Sequence, residues 1–517
     1  MTEDTAIRPG LRERSIALWA NRPARRLPRP PSPRAVLRST GAFLLTHVVF
    51  LIALAGGTFL RWGTVQGYPG VLWFTGDSYF YIGRALRVNP SPSKSLGYSF
   101  MLDVMGPLHS YTAIAVVQHL MGLSIAVMVY ALLRRARLPG WLAAVVTLPI
   151  LFDAYTIELE HLLMSEALFT FCIAAAVTLL LWRSDGPFWW AAAAAGVLLG
   201  YAVLVRSAGA PLIPLVLVCL LLRRKGWRAA LSFGVAAAIP VVSYAIWFES
   251  HMGSYGLTRS DGLFLWGRTS SFADCEKIKP PYHERPLCLD PAIKAENDPP
   301  GHLIWRNDIP PRKVYDNVTS PLANKVLRDF AIRAILAQPD DYAATVADGV
   351  GKAFSPNRFP VPTANTESLY HFPDHPQIFP AGKSWAGGGT AMSDAMTYGR
   401  TDRPSRVEKP WSSRMITYQE NVYLPGPALG VLFVIGGLGI LVARNRRGLL
   451  LVWATAATLL VFPIASADFD YRYVVPTIPF ACLAAGLALT GFTRLPLSRL
   501  SGIRGSLRRE KDQATEK

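Results

Sequence analysis

Four separated stretches of the chain carry carboxylates and arginines of the kind that do group-transfer chemistry. Asp77 stands alone in a polar loop. Glu158, Glu160, His161 and Glu166 crowd a second stretch, Arg206 marks a third, and Asp468, Asp470, Arg472 and Tyr473 form the fourth. A carboxylate of this set can take the proton of an acceptor hydroxyl, and arginines can hold a phosphate leaving group bidentately. Hydrolase chemistry is not indicated, because no Gly-x-Ser-x-Gly elbow occurs. His371 and His375 have a metal-like spacing, but Pro373 between them argues against a helix presenting both on one face. Gly387-Gly388-Gly389 follows no strand and precedes no Lys-Ser/Thr, so it reads as a loop rather than a phosphate cradle.

What positions these groups is a set of apolar stretches. Of 517 residues, 51% are hydrophobic and only 17% charged, against roughly 25% charged in soluble domains. Stretches near bilayer length recur at 41–60, 111–133, 138–152, 166–182, 187–205, 208–222, 228–248, 427–443, 449–467 and 473–492. The third and sixth are short. The first follows a tail of about forty residues and runs to full spanning length, so it reads as a retained anchor rather than a signal peptide. The expected fold is a polytopic α-helical membrane protein with about ten transmembrane helices and an outer soluble domain between helices seven and eight.

Charge orients it. The net charge is +18, yet the tail 1–39, the tail 493–517 and alternate short loops, including Arg134–Arg137, Arg223–Arg228 and Arg444–Arg447, together carry +20. The short segments of the opposite face sum to −2, and 249–425 balances 20 basic against 20 acidic residues. The positive-inside rule puts both termini in the cytosol of a cell-membrane protein and 249–425 outside. Nucleic-acid binding is not expected, since Trp19 is the only aromatic residue among the tail arginines. The tail itself, Arg/Pro-rich from Arg8 to Arg38, reads as disordered near the inner leaflet. Cys172, Cys219 and Cys482 fall inside apolar stretches, whereas Cys275 and Cys288 are an outer pair suited to a disulfide.

The expected organisation is therefore a cytosolic tail over 1–39, a transmembrane module over 40–248 with an outer loop at 61–110, and an outer domain over 249–425. Further helices at 426–492 and a tail at 493–517 complete it. Within the loop, Asp77–Leu86 reads as a short interfacial helix ended by Pro90 and Pro92, and Gly97–Leu102 starts the return to the membrane. In the outer domain helices are expected at 321–337 and 339–354, with long loops over 355–412. All four chemistry-bearing stretches then reach the outer edge of the spans. Ionisable groups at membrane depth are costly, which makes such a set a candidate site. Asp153, Glu158 and Asp470 are read as solvated or capping. A site at membrane level suits a lipid-borne phosphate donor.

In motif order the chain resembles the GT-C class of integral-membrane glycosyltransferases, and more closely the branch of protein O-mannosyltransferases and lipid A aminoarabinose transferases. The resemblance rests on Asp77 with Tyr81, Ala85 and Gly97-Tyr98, on Met164-Ser165-Glu166-Ala167-Leu168-Phe169, on Arg206 with Pro211 and Pro214, and on Arg472-Tyr473-x-x-Pro476-x-x-Pro479. It implies inverting transfer of a sugar from a polyprenyl-phosphate carrier to a glycan, lipid or protein acceptor. Asp77 would be the general base, Glu166 would shape the sugar or acceptor site, and Arg206 and Arg472 would take the lipid phosphate. Tyr81, Tyr98 and Tyr473, from the same motifs, are candidate substrate contacts. Ser78 stands where members often have a second acid, which argues against a metal-binding carboxylate pair there and leaves the need for a divalent metal open. The outer domain lies between spans seven and eight, whereas several relatives place theirs at the C-terminus, which leaves its role open, with acceptor recognition the first expectation. The main rival is a transporter or flippase of a lipid-linked substrate, which predicts discontinuous spans and charges near mid-membrane. A second rival, an assembly protein docking through 249–425, gives no reason for Asp77, Arg206 and Arg472 to lie at one depth.

Overall fold

The computed structural model describes residues 33–222, 226–382, 388–443 and 445–492. Most of the two basic tails lies outside the described residues, as do Arg223, Arg224, Lys225, Gly387 and Arg444. Among the described residues, 33–48 belong to one compact unit and those from Val49 on to another that holds all the later helices.

Among the described residues every regular element is a helix, and Leu72 and Leu162 form a lone β-bridge. Hydrocarbon offers the backbone no hydrogen-bond partners, so apolar segments satisfy their own amides as helices. Five helices are long and apolar enough to cross a membrane: Thr46–Gly67, Tyr111–Arg135, Trp227–Met252, Arg446–Ser466 and Tyr471–Gly491. The number rises to seven if each of two bent pairs is one span. Gly140–Phe152 and Ala154–His161 meet at 50°, and Trp411–Asn421 and Gly426–Val442 at 59°. Shorter apolar helices occupy Glu166–Leu181, Trp189–Val205 and Ser207–Leu221. The ten expected stretches thus all fall on apolar helices, but three are short of a span. Glu166–Leu181, at 16 residues, rises only about 24 Å against a hydrocarbon core of roughly 30 Å. The chain is a multi-pass α-helical membrane protein.

Close packing between these helices uses small residues. A Cβ at Gly196 would fall on the Phe233 carbonyl and one at Gly200 on the Ala237 carbonyl, so Trp189–Val205 lies against Trp227–Met252 backbone to backbone. Gly97 does the same for the helix Gly97–Met105, whose start abuts the backbone of Leu204 and Val205.

Segment 249–425 has two halves. In the first, helix Asp261–Ser270 packs on Pro321–Ala337, and Leu263, Trp266, Leu327 and Phe330 form a core of their own. Cys275 and Cys288 are joined by a disulfide there. The helices expected at 321–337 and 339–354 are Pro321–Ala337 and Pro339–Lys352. The second half is built differently. Tyr370, Phe372 and Met415 pack on Tyr68, Leu72, Phe74 and Met164, so its core is shared with the loop after the first span. The expected loop 355–412 also contains two helices, Ala364–Ser368 and Ala391–Gly399, the latter opened by a capping box between Thr390 and Ser393.

Candidate active site

The helix Asp77–Leu86 begins at Asp77 itself, immediately after Gly76, whose φ of 85° is a left-handed conformation that glycine adopts without strain. This turn projects the Asp77 carboxylate from the first helical residue. Tyr79, Phe80 and Tyr81 bury the rest of the helix against its neighbours. Lys94, from the loop ending this excursion, forms an ion pair with Asp77. From 395 residues away, Arg472 Nη1 donates to Asp77 Oδ2 at 2.6 Å.

Arg472 is held by its own surroundings. Asp470 caps the short helix Tyr471–Val474, its Oδ1 accepting from the Arg472 amide, and its Oδ2 lies 3.0 Å from Arg472 Nε. Tyr370 Oη donates to the same Asp470 carboxylate at 2.6 Å. The guanidinium lies over the rings of Phe74 and Tyr473. Arg206 also lies over the Tyr473 ring, 5.5 Å from its centroid, and pairs with Glu166. Ser165 links this pair to the helix of Asp77, because Tyr81 Oη donates to Ser165 Oγ.

Burial alone would raise the Asp77 carboxyl. The positive charges of Lys94, Arg472 and Arg206, with the Lys94 hydrogen bond, outweigh it and hold the group well below the usual carboxylate range. Burial correspondingly pushes the Lys94 ammonium down, with Asp77 opposing the shift. The donor set around Asp77 is cationic and does not suit a divalent metal. Among the described residues no cluster of three or more His, Cys, Asp or Glu side chains could hold one, and His371 instead bonds Glu367 at 2.9 Å.

A cleft of about 530 Å³ opens above this cluster. Asp77, Lys94, Arg472 and Tyr473 line one wall, and Phe264, His302, Trp305 and Asn365 of the 249–425 segment line another. The structure therefore brings Asp77, Arg206, Arg472 and Tyr473 together. Tyr81 and Glu166 lie behind that wall, buried and bonded to Ser165 and Arg206. Tyr98 is fully buried, its hydroxyl donating to Gln118 Oε1 at 2.6 Å and its ring edge-on to Tyr81 at 4.8 Å, so it supports the helix of Asp77 without lining the cleft. Asp153 caps Ala154–His161, and Asp470 is a buried cap. Glu158 is neither solvated nor capping: it is buried, with no hydrogen-bond partner among the described residues on either carboxylate oxygen. The second half of 249–425 packs on the helix that carries Glu158, which sequence position alone could not show.

Glu160 and His161 belong to a separate buried network. Arg61 grips Glu160 at 2.7 and 2.8 Å, Glu160 meets His119 Nδ1 at 2.9 Å, and His119 Nε2 meets His161 Nδ1 at 2.9 Å. His161 Nε2 must donate to the Tyr68 carbonyl, 2.9 Å away. These contacts are all satisfied only if the network holds one proton more than two neutral imidazoles and an ionised carboxylate would carry.

Lys94, Ser165 and the far wall were not legible as site residues. Lys94 did leave a signal: like Arg206 and Arg472, it is a cation on the face whose short segments sum to −2.

Residues 102–255 match the model of the dolichyl-phosphate-mannose-protein mannosyltransferase family. The sequence resemblance to GT-C glycosyltransferases thus meets a family match of that class over this part of the chain. No curated protein matches the chain by sequence. Among solved structures, the chain is similar to the apo oligosaccharyltransferase of Archaeoglobus fulgidus, with 13% identity and a TM-score of 0.41 over 89% of this chain and 52% of that one. Archaeoglobus fulgidus AglB in complex with an inhibitory peptide and a dolichol-phosphate gives 13% identity and a TM-score of 0.40 over 89% and 51%. ArnT of Cupriavidus metallidurans bound to undecaprenyl phosphate gives 13% and 0.32 over 86% and 77%. The chain spans about half the length of the oligosaccharyltransferases it resembles.

Proposed function

We propose that the protein is a cell-membrane glycosyltransferase, with both termini cytosolic, that moves a sugar from a polyprenyl-phosphate carrier to an acceptor hydroxyl at the outer face. The observation that carries this reading is the contact of Asp77 with Lys94 and Arg472 at the foot of the cleft. In the resting state these cations neutralise the carboxylate. A donor phosphate competes for them: Lys94 and Arg472, with Arg206 beside Tyr473, turn to the phosphate oxygens. Asp77, released, regains basicity. The acceptor oxygen then bonds to the anomeric carbon as the bond from that carbon to the phosphate oxygen breaks. The acceptor proton passes to Asp77, and the bonding pair leaves with the polyprenyl phosphate. Attack opposite the leaving phosphate inverts the anomeric configuration. The leaving group gains a negative charge during this step, so fixed cations stabilise the transition state more than the bound donor.

Discontinuous helices at Asp153 and Pro425 favour the transporter reading in one respect. Buried among the helices, Arg61, Glu160 and His119 bond one another, and neither they nor the buried Glu158 line the cleft. Purified protein in detergent micelles, where there is no second compartment, separates the two. Transfer of a radiolabelled hexose or pentose from a polyprenyl-phosphate carrier is expected there, and Asp77→Asn should lower it about 100-fold or more while undecaprenyl phosphate still binds. Near-normal turnover in the variant would remove Asp77 as the base.

A further inference from the structure

The part of the cleft lining supplied by 249–425 has no role in the transfer step proposed above, and its composition is specific. Trp305 is 43% exposed and lies edge-on to Phe264 at 6.4 Å, giving the cleft an aromatic side. His302, whose Nδ1 lies 3.5 Å from Asp298 Oδ1, and Asn365 line the same wall as exposed hydrogen-bonding groups. Arg306, next to Trp305, is engaged by Glu296, Asp298 and Asp308, so its positive charge is more than offset locally. The wall is also fixed relative to the reacting groups. The Gly301 amide donates to Asp468 Oδ2 at 2.9 Å, and Asp468 lies four residues before Arg472.

We propose that this wall is the acceptor subsite and that the acceptor is a carbohydrate, the terminal residue of a glycan; the inference rests on the transferase reading and names its acceptor class. A pyranose has an apolar, electropositive face of C–H groups and a rim of hydroxyls. The negative face of an indole attracts the first, and imidazole and amide groups bond the second. Trp305 would carry the ring while His302 and Asn365 orient it, turning one hydroxyl toward Asp77. A peptide acceptor held by backbone pairing would need an open strand edge, and the described residues offer no strand, only the Leu72–Leu162 bridge. A lipid acceptor would need a continuous apolar wall, which the polar groups interrupt. At about 530 Å³ the cleft falls in the range of roughly 300–1,000 Å³ typical of small-molecule sites, room for an acceptor ring beside the donor sugar.

The test uses the full chain in nanodiscs, overlaid on an array of bacterial envelope oligosaccharides and on an array of Ser/Thr-containing peptides, with undecaprenyl phosphate binding measured in parallel. The wild type should bind a subset of glycans. Trp305→Ala should weaken that binding about tenfold or more, and Trp305→Phe should restore most of it. All three forms should bind undecaprenyl phosphate equally. Binding to peptides alone, absence of any glycan binding, or glycan binding indifferent to Trp305→Ala would overturn the proposal. If Trp305→Ala loses both ligands, Trp305→Phe decides, and loss of glycan in that variant too would overturn it. Failure of the wild type to bind undecaprenyl phosphate would count against the transferase reading instead, so the two failures are distinguishable.

Discussion

At the residue scale, the role proposed for Asp77 is that of a base held idle by Lys94 and Arg472 until those cations turn to a donor phosphate. Because its carboxyl is held well below the ordinary 3.8, it stays ionised as pH falls through the usual carboxylate range. The expected profile of kcat/KM, which reports the free enzyme, therefore has no acid limb from Asp77 between pH 7 and about 4. Lys94→Ala removes the strongest opposing charge and leaves burial, which raises the group, so the acid limb should move upward in the residual activity. A profile unchanged by Lys94→Ala would show that the two groups are not coupled. The sign for stability is the same. A depressed pKa adds stability that is complete above the unfolded value and lost as pH falls below it. Glu160 makes a different prediction. Arg61 is buried and, among the described residues, otherwise bonds only the carbonyls of Gly57, Leu151 and Ile150. Glu160→Ala leaves its charge uncompensated and should destabilise the protein by about 3–5 kcal/mol, read as a lowered unfolding temperature in detergent. Glu160→Gln, whose amide can still serve His119, should cost less.

At the element scale, the helices were the most legible part of the chain. The expected Asp77–Leu86 helix is the observed one, and 321–337 is matched end to end, because local apolar spacing and proline breaks decide such elements. The short helix Ala391–Gly399 was missed although Thr390 and Ser393 spelled its start, since loop-like composition on either side hid the capping box. The Gly196-x-x-x-Gly200 spacing was also present in the sequence, but only the structure shows Phe233 and Ala237 filling the space above those glycines. Gly196→Leu should separate the two helices and lower the yield of folded protein, measured by size-exclusion of detergent-solubilised material, whereas Leu198→Ala on the same helix should be milder. Equal behaviour of the two variants would deny the close contact.

At the scale of the whole molecule, 249–425 was expected as one outer domain, and its two halves differ. The part through about residue 337 has its own core and a disulfide, while Tyr370, Phe372 and Met415 depend on Tyr68, Phe74 and Met164 from the membrane module. Expressed alone, 249–425 should therefore resist protease over its first half and be cut rapidly after Pro356. Uniform protection would mean that the second half folds without the membrane module. Sequence alone determined the apolar helices, the charge asymmetry and the residue types available for transfer, because these follow from composition and short-range spacing. The tertiary structure alone decided that Asp77 meets Arg472 from 395 residues away, that Lys94 completes the pair, and that Tyr98 turns inward. Such pairings depend on which helix ends and loops converge in space, and no local pattern records that.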